Sequence, residues 1–145
     1  MLKIKISSDL DSQVHQDSVA IRQAVFVQEQ NVPVDREVDA DEGKAIYFTG
    51  YNDAGEAEAT LRLLPESYGF HVQRVAVAKA GRGLGRGREM MTAAINYGKE
   101  HGAQSLQLGA QVHATGFYET LGFKFTAKPQ FMDAGIPHRE MIYTY

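Results

Sequence analysis

The apolar positions change period several times along the chain, and each change marks an element. In LKIKI (2–6) apolar and basic side chains alternate with the two-residue period of a strand. From Asp9 to about Gln28, Leu10, Val14, Ile21 and Val25 fall at loosely helical spacing and predict one or two helices. Pro33 and the acidic stretch DREVDADEG (35–43) break that pattern. AIYFTGY (45–51), NDAG (52–55) and EAEATLRLL (56–64) form the clearest local unit. Ala57, Ala59, Leu61 and Leu63 alternate there with Glu56, Glu58, Thr60 and Arg62. This predicts a half-buried strand that closes a hairpin over an Asn/Asp/Gly turn and ends at Pro65.

FHVQRVAVAK (70–79) is valine-rich and reads as another strand. After a glycine cluster, a helix runs to about His101, with Leu84, Met91, Ala94, Ile95 and Gly98 on one face and Gly102 suited to the residue after its last turn. SLQLGAQ (105–111) predicts a strand and ATGFYETLG (114–122) a short helix stopped by Gly122. FKFTAKPQFM (123–132) and HREMIYTY (138–145) read as two closing strands. No internal repeat or linker divides the chain, so the pattern predicts one domain over residues 1–145. Strand, helix, antiparallel strands, then strand–helix–strand–helix–strand is a mixed α/β layer order.

Composition narrows the chemistry. The chain has 145 residues, and that length suits a single core. A formal net charge of −3 argues against general nucleic-acid binding, which draws on surplus Lys and Arg. No apolar run approaches the ~18–20 residues of a membrane span, and MLKIKISSDLDS turns polar too soon for a signal peptide. The expectation is a cytoplasmic protein without nucleic-acid or membrane partners. Cysteine is absent, which removes disulfides, thiolate metal ligands and a cysteine nucleophile, and no His/Asp/Glu cluster has metal-ligand spacing.

The segment VAVAKAGRGLGRGREMM (75–91) carries the strongest functional signal. The first amides of a helix lack internal acceptors, and the helix dipole places partial positive charge beside them. Gly81, Gly83, Gly85 and Gly87 clear side chains from such an end, while Arg82, Arg86 and Arg88 add charge. A phosphate cradle between strand and helix follows. Neither the Walker pattern nor the dinucleotide G-x-G-x-x-G fits its spacing.

RGLGRG (82–87) resembles the [QR]-x-x-G-x-[GA] motif of the GNAT superfamily, the acyl-CoA-dependent N-acyltransferases. RVAV (74–77) is similar to the strand before that motif, and AQVHATGFYETLGF (110–123) resembles its second half through Ala114, Phe117, Tyr118, Gly122 and Phe123. Gln111 stands where many members carry Asn. IRQAVFVQEQNVP (21–33) and GIPH (135–138) resemble a branch of small bacterial GNAT proteins. The resemblance implies the GNAT fold: a mixed, mostly antiparallel sheet flanked by helices, with parallel strands near 71–79 and 105–111 that splay apart.

It further implies an acetyl-CoA co-substrate, no metal, and a small-molecule or peptide amine as acceptor, in a family whose members are often homodimers. Arg82, Gly83, Leu84, Gly85, Arg86 and Gly87 would hold the coenzyme A diphosphate. Val75, Ala76 and Val77 would pair with the pantetheine arm, with Gln111, Ala114 and Tyr118 lining it. Tyr118 would be the general acid for the leaving thiolate. The general base stays open among Glu29, Asp39, Asp41, His71, His113 and His138, with Glu29 in FVQEQ and His138 in GIPH preferred. VDREVDADE (34–42), with five carboxylates in nine residues, is either a field that draws in a cationic amine or a solvated acidic loop. A non-catalytic acyl-CoA-binding sensor is the competing class.

Overall fold

The computed structural model describes residues 1–145 except Val38, with the side chains of Asp35 and Arg36 also outside the described set. Strand β1 (Lys3–Ser7) leads into helix α1 (Gln13–Arg22), capped by Ser12 and continued as a π-helical turn over Gln23–Glu29. A short α2 (Val34–Glu37) precedes β2 (Ile46–Tyr51), β3 (Ala57–Glu66) and β4 (Gly69–Val77). Then come α3 (Arg86–Glu100), β5 (Ser105–Gln111), α4 (Thr115–Thr120), β6 (Lys124–Phe125), β7 (Phe131–Asp133) and β8 (Ile136–Thr144). The sheet runs β1-β2-β3-β4-β5-β8-β6, with β7 also on β8. Among the described residues only β4 and β5 are parallel, and α3 makes their crossover.

The two faces of the sheet are covered differently. On one, Met90, Met91 and Ala94 of α3 pack on Phe48, Leu61, Leu63, Val72, Leu106 and Leu108 in a dry core. On the other, α1 meets polar side chains of β2 and β3. Thr60 Oγ1 donates to the Phe48 carbonyl at 2.8 Å and lies 2.7 Å from Ser18 Oγ, and Thr49 Oγ1 donates to the Val14 carbonyl at 2.9 Å. β3 therefore alternates as its sequence predicts yet is buried on both faces, with Thr60 and Arg62 fully covered.

Arg62 can be buried because the segment after α2 delivers carboxylates to it. Its guanidinium donates to Glu42 Oε1 (3.0 Å), to Asp39 Oδ2 (2.9 Å) and to Gln73 Oε1 (2.8 Å). Arg22, also fully buried, donates to both Glu42 oxygens at 2.7 and 2.9 Å and to Glu37. Glu37, Asp39 and Glu42 are thus neutralised by arginines, which corrects the reading of 34–42 as a solvated acidic loop and removes most of the field available for steering. Burial alone would raise the Glu42 carboxyl, but the hydrogen bonds from Arg22 and His15 outweigh it and bring it down to about 2.

Three other details depart from the sequence pattern. β3 continues through Pro65 to Glu66, because beyond Leu63 it has lost β2 as a neighbour and needs no amide on that edge. Leu84 lies before α3 and is exposed; Met90 takes its place on the buried face. The stretch 123–132 forms two short strands rather than one, with Pro129 between them.

Arg22→Ala strands a buried Glu37, and its loss of stability to urea is expected to reach about 3–5 kcal/mol. Glu42, depressed in the folded state, stabilises above its ordinary value of 4.5 and loses that contribution as pH falls toward 2. Urea titrations should therefore show about 2 kcal/mol of Glu42-dependent loss between pH 7 and pH 3, a component missing from Glu42→Gln.

Candidate active site

β4 and β5 pair at Gly69–Ser105, Phe70–Leu106 and His71–Gln107 and then part. The cause lies in β4. Against β3, Thr60 faces Ala76 while Arg62 faces Gln73, so β4 carries one extra residue there, a bulge that twists the strand away. Arg74 sits in it at φ 54°, a left-handed conformation that costs a non-glycine residue about 1–2 kcal/mol. Its side chain holds the bulge from the α1 side, donating to the Glu37 carbonyl (3.2 Å) and to Asp39 Oδ2 (3.1 Å). β5 does not follow β4, because all seven of its residues pair with β8.

A cleft of about 890 Å3 opens between the diverging strands. Val75 and Val77 turn toward the α3 core and Ala76 toward Ile21 and Val25, so this part of β4 offers the cleft a main-chain edge. Past His71 that edge has no strand partner in β5. Ala114 and Tyr118 line the opposite side. Tyr118 on α4 packs edge-on to Phe117 and Phe123, is 8% exposed, and has its phenol pushed up to about 12 by burial.

The β4 edge leads into a second hollow of about 350 Å3, lined by Val77, the 81–88 bend and Phe117. The glycines of the bend have separate reasons. Gly83 and Gly85 have φ of 79° and 76° with open space where a Cβ would sit, so they serve the backbone path. Gly81 admits Glu58, whose Oε2 would lie 2.7 Å from an added Cβ. At Gly87 an added Cβ would lie 3.4 Å from Phe117 Cζ. The first backbone bond of α3 runs from Glu89 N to Gly85 O, which leaves the amides of residues 86–88 without intrahelical acceptors.

The arginines of the bend are engaged rather than free. Arg82 donates to the Val77 carbonyl (3.2 Å) and to Glu29 Oε1 (2.6 Å). Arg86 lies between Glu89 (3.1 Å) and Glu58 (3.5 Å), while its buried Nε lacks an acceptor. Arg88 donates to Thr120 Oγ1 at 2.8 Å. Leu84 is exposed and lines neither hollow, so only its main chain is placed to serve the bend.

Of the residues considered as bases, Glu29 holds Arg82, and Asp39 is taken by Arg62 and Arg74. Asp41 lies outside the cleft, 3.9 Å from Lys44. His71, His113 and His138 all line the cleft. Sequence reasoning missed Gln30, which accepts from Gln111 Nε2 at 3.0 Å across the slot, and Phe131, whose ring stacks on His138. Gln111 in turn accepts at Oε1 from His113 Nε2 (2.7 Å). No local signal could reveal these contacts, since Gln30 and Gln111 are 81 positions apart.

Comparison with known proteins agrees with this geometry. Residues 13–145 match the family described as "Acetyltransferase (GNAT) domain". The uncharacterized N-acetyltransferase YjcF of Bacillus subtilis is 33% identical over 126 residues, covering 87% of this chain and 89% of that protein. Protein ElaA of Escherichia coli is 32% identical over 132 residues, 84% of each chain. Its crystal structure superposes with a TM-score of 0.84, covering 99% of both chains. An acyl-CoA N-acyltransferase from Pseudomonas aeruginosa superposes at 0.86 with 27% identity, over 99% of this chain and 100% of that one. The mixed sheet flanked by helices is the fold shared with these solved structures, and the chain belongs to the GNAT acetyltransferase family.

Proposed function

We propose that the protein transfers an acetyl group from acetyl-CoA to a primary amine of a small molecule or peptide, by direct attack in a ternary complex. The observation that carries this reading is the continuity of an unpaired β4 edge with the amide-rich bend before α3. An extended amide-bearing chain ending in a diphosphate matches both halves. Its pantetheine amides would pair with Val75–Val77 as an added strand, and its diphosphate would meet the amides of residues 82–87. Arg86 fits such a ligand, because its buried Nε lacks an acceptor beside those amides. Arg82 would exchange Glu29 and the Val77 carbonyl for phosphate.

The thioester would then lie deeper in the cleft, near Tyr118. With no cysteine in the chain, direct transfer needs no thiol acyl-enzyme. A main-chain N–H of the bulged β4 would meet the oxyanion. The acceptor must be neutral to attack, although an alkylamine has a pKa near ~10.4 in water. Tyr118, pushed up to about 12, stays protonated at neutral pH and has a proton to give. Passing its proton to a thiolate of pKa ~8.5 is uphill by roughly 5 kcal/mol in the empty cleft. The dry environment that raises the phenol also raises the thiolate's demand for a proton, which narrows that gap.

Thiol release from acetyl-CoA with a panel of amines tests the activity. Coenzyme A at ~100 times its Kd should stabilise the fold by about 2.7 kcal/mol, visible as a higher Tm. Stabilisation without turnover of any amine would favour the sensor, and no stabilisation would remove both readings. Gly85→Val, which forces a side chain into a left-handed turn, should abolish most of the Tm shift. Tyr118→Phe should lower kcat by about 10²-fold or more while coenzyme A binding changes less than about threefold.

A further inference from the structure

We infer that His138 is the base that deprotonates the acceptor amine, a role that rests on the acetyltransferase reading above. The ring is held in one orientation and one tautomer. Its Nδ1 lies 2.7 Å from the Ile136 carbonyl, and a carbonyl oxygen only accepts, so Nδ1 carries the hydrogen. In the neutral ring the lone pair is then on Nε2, which has no hydrogen-bond partner among the described residues. The ring is 9% exposed and lines the cleft. Phe131 stacks on it at 5.7 Å and 22°, and Gly109 makes room for that ring, since an added Cβ would lie 3.1 Å from Phe131 Cζ. A carbonyl-oriented imidazole with its second nitrogen open to a cleft is the arrangement proton transfer requires.

Strand register places this base opposite the acid. Directly opposed residues of an antiparallel pair share a face, so His138 lies on the same face as Gln111. Leu108 and Ala110 point to the other face, into the core that contains Tyr118. His138 and Tyr118 therefore reach the cleft from opposite faces of the sheet. An amine entering on the His138 side would meet the thioester with the leaving sulfur toward Tyr118.

In the step, His138 Nε2 takes one proton from R–NH3+, freeing the nitrogen lone pair, and passes that proton to cleft water. The lone pair forms the C–N bond while the carbonyl π pair moves to oxygen. That pair returns as the C–S bond breaks. The thiolate takes the Tyr118 proton, and the second proton lost from nitrogen restores the phenol. The products are R–NH–acyl, the free thiol and one proton.

Among the described residues, the charged and titratable groups that share this part of the cleft with His138 include Glu140 on its own strand, Asp133 on β7, His113 after β5, Lys128 over the Phe131 ring, and His71 and Arg74 on β4. His71 is the rival base. It sits on the last paired rung, and its Nδ1 is 3.4 Å from the Tyr68 hydroxyl.

The experiment compares wild type, His138→Asn and His71→Asn with acetyl-CoA and the best amine of the panel, from pH 6 to pH 10. Asn can keep the donor to the Ile136 carbonyl while removing Nε2, so a merely structural role would survive the change. The expected result is a fall in kcat/KM of about 10²-fold at neutral pH for His138→Asn. That defect should shrink toward pH 10, where about a quarter of an alkylamine is already neutral against well under a thousandth at pH 7, and the Tm shift with coenzyme A should be unchanged. Activity within threefold of wild type, a defect equal at every pH, or a pH-dependent defect in His71→Asn alone would overturn the assignment. Wild type that binds coenzyme A but acetylates no amine would instead sink the acetyltransferase reading, and this assignment with it.

Discussion

Beyond His71, one edge of β4 gives up its backbone partners in β5, and the site is built in the gap this leaves. An unpaired strand edge normally invites aggregation, and proteins cover it or pair it. Here the edge lies along the wall of a cleft of about 890 Å3. The bulge at Arg74 bends β4 one way, while full pairing with β8 holds β5 the other way. The parting of the strands is thus a consequence of two stronger commitments, each made on the far side of the strand concerned.

The bulge depends on an ionic core. Arg22, Arg62 and Arg74 meet Glu37, Asp39 and Glu42 beneath the sheet, and Arg74 reaches from the bulge into that cluster. Burying charge carries a large desolvation cost even when it is paired, and apolar side chains of similar volume often stabilise as well. What the ions add is geometry: each guanidinium accepts only a few directions of approach. Glu37, Asp39 and Glu42 are held by them close to β3 and β4, and Glu37 and Asp39 become part of the cleft wall.

The half of the cleft toward β8 has a different character from the half toward the bend. Toward the bend, the walls are main chain, glycine and arginine, suited to amides and phosphate. Toward β8 they are His71, Glu140, His138 and an aromatic ring, on the part of the sheet that α1 leaves uncovered. One half offers main-chain amides and cations, the other imidazole, carboxylate and aromatic side chains.

Most of the elements and the glycine-rich bend are legible in the residues themselves, because both are written in local terms. Alternation in 56–64, the valine-rich 70–77 and the helical spacing before Gly102 reflect burial within a few residues. Gly83 and Gly85 serve a backbone path that hardly depends on the rest of the fold. Resemblance of RGLGRG and ATGFYETLGF to known motifs supplied the family for the same reason: each motif is contiguous. Tertiary structure alone decided what the charged residues do. Arg22 and Glu42, or Gln30 and Gln111, are brought together by chain packing across tens of positions, which composition does not record. Glu29 reads as an open carboxylate in the sequence and proves to be held by Arg82, because a side chain's protonation and availability are set by whatever the fold places against it.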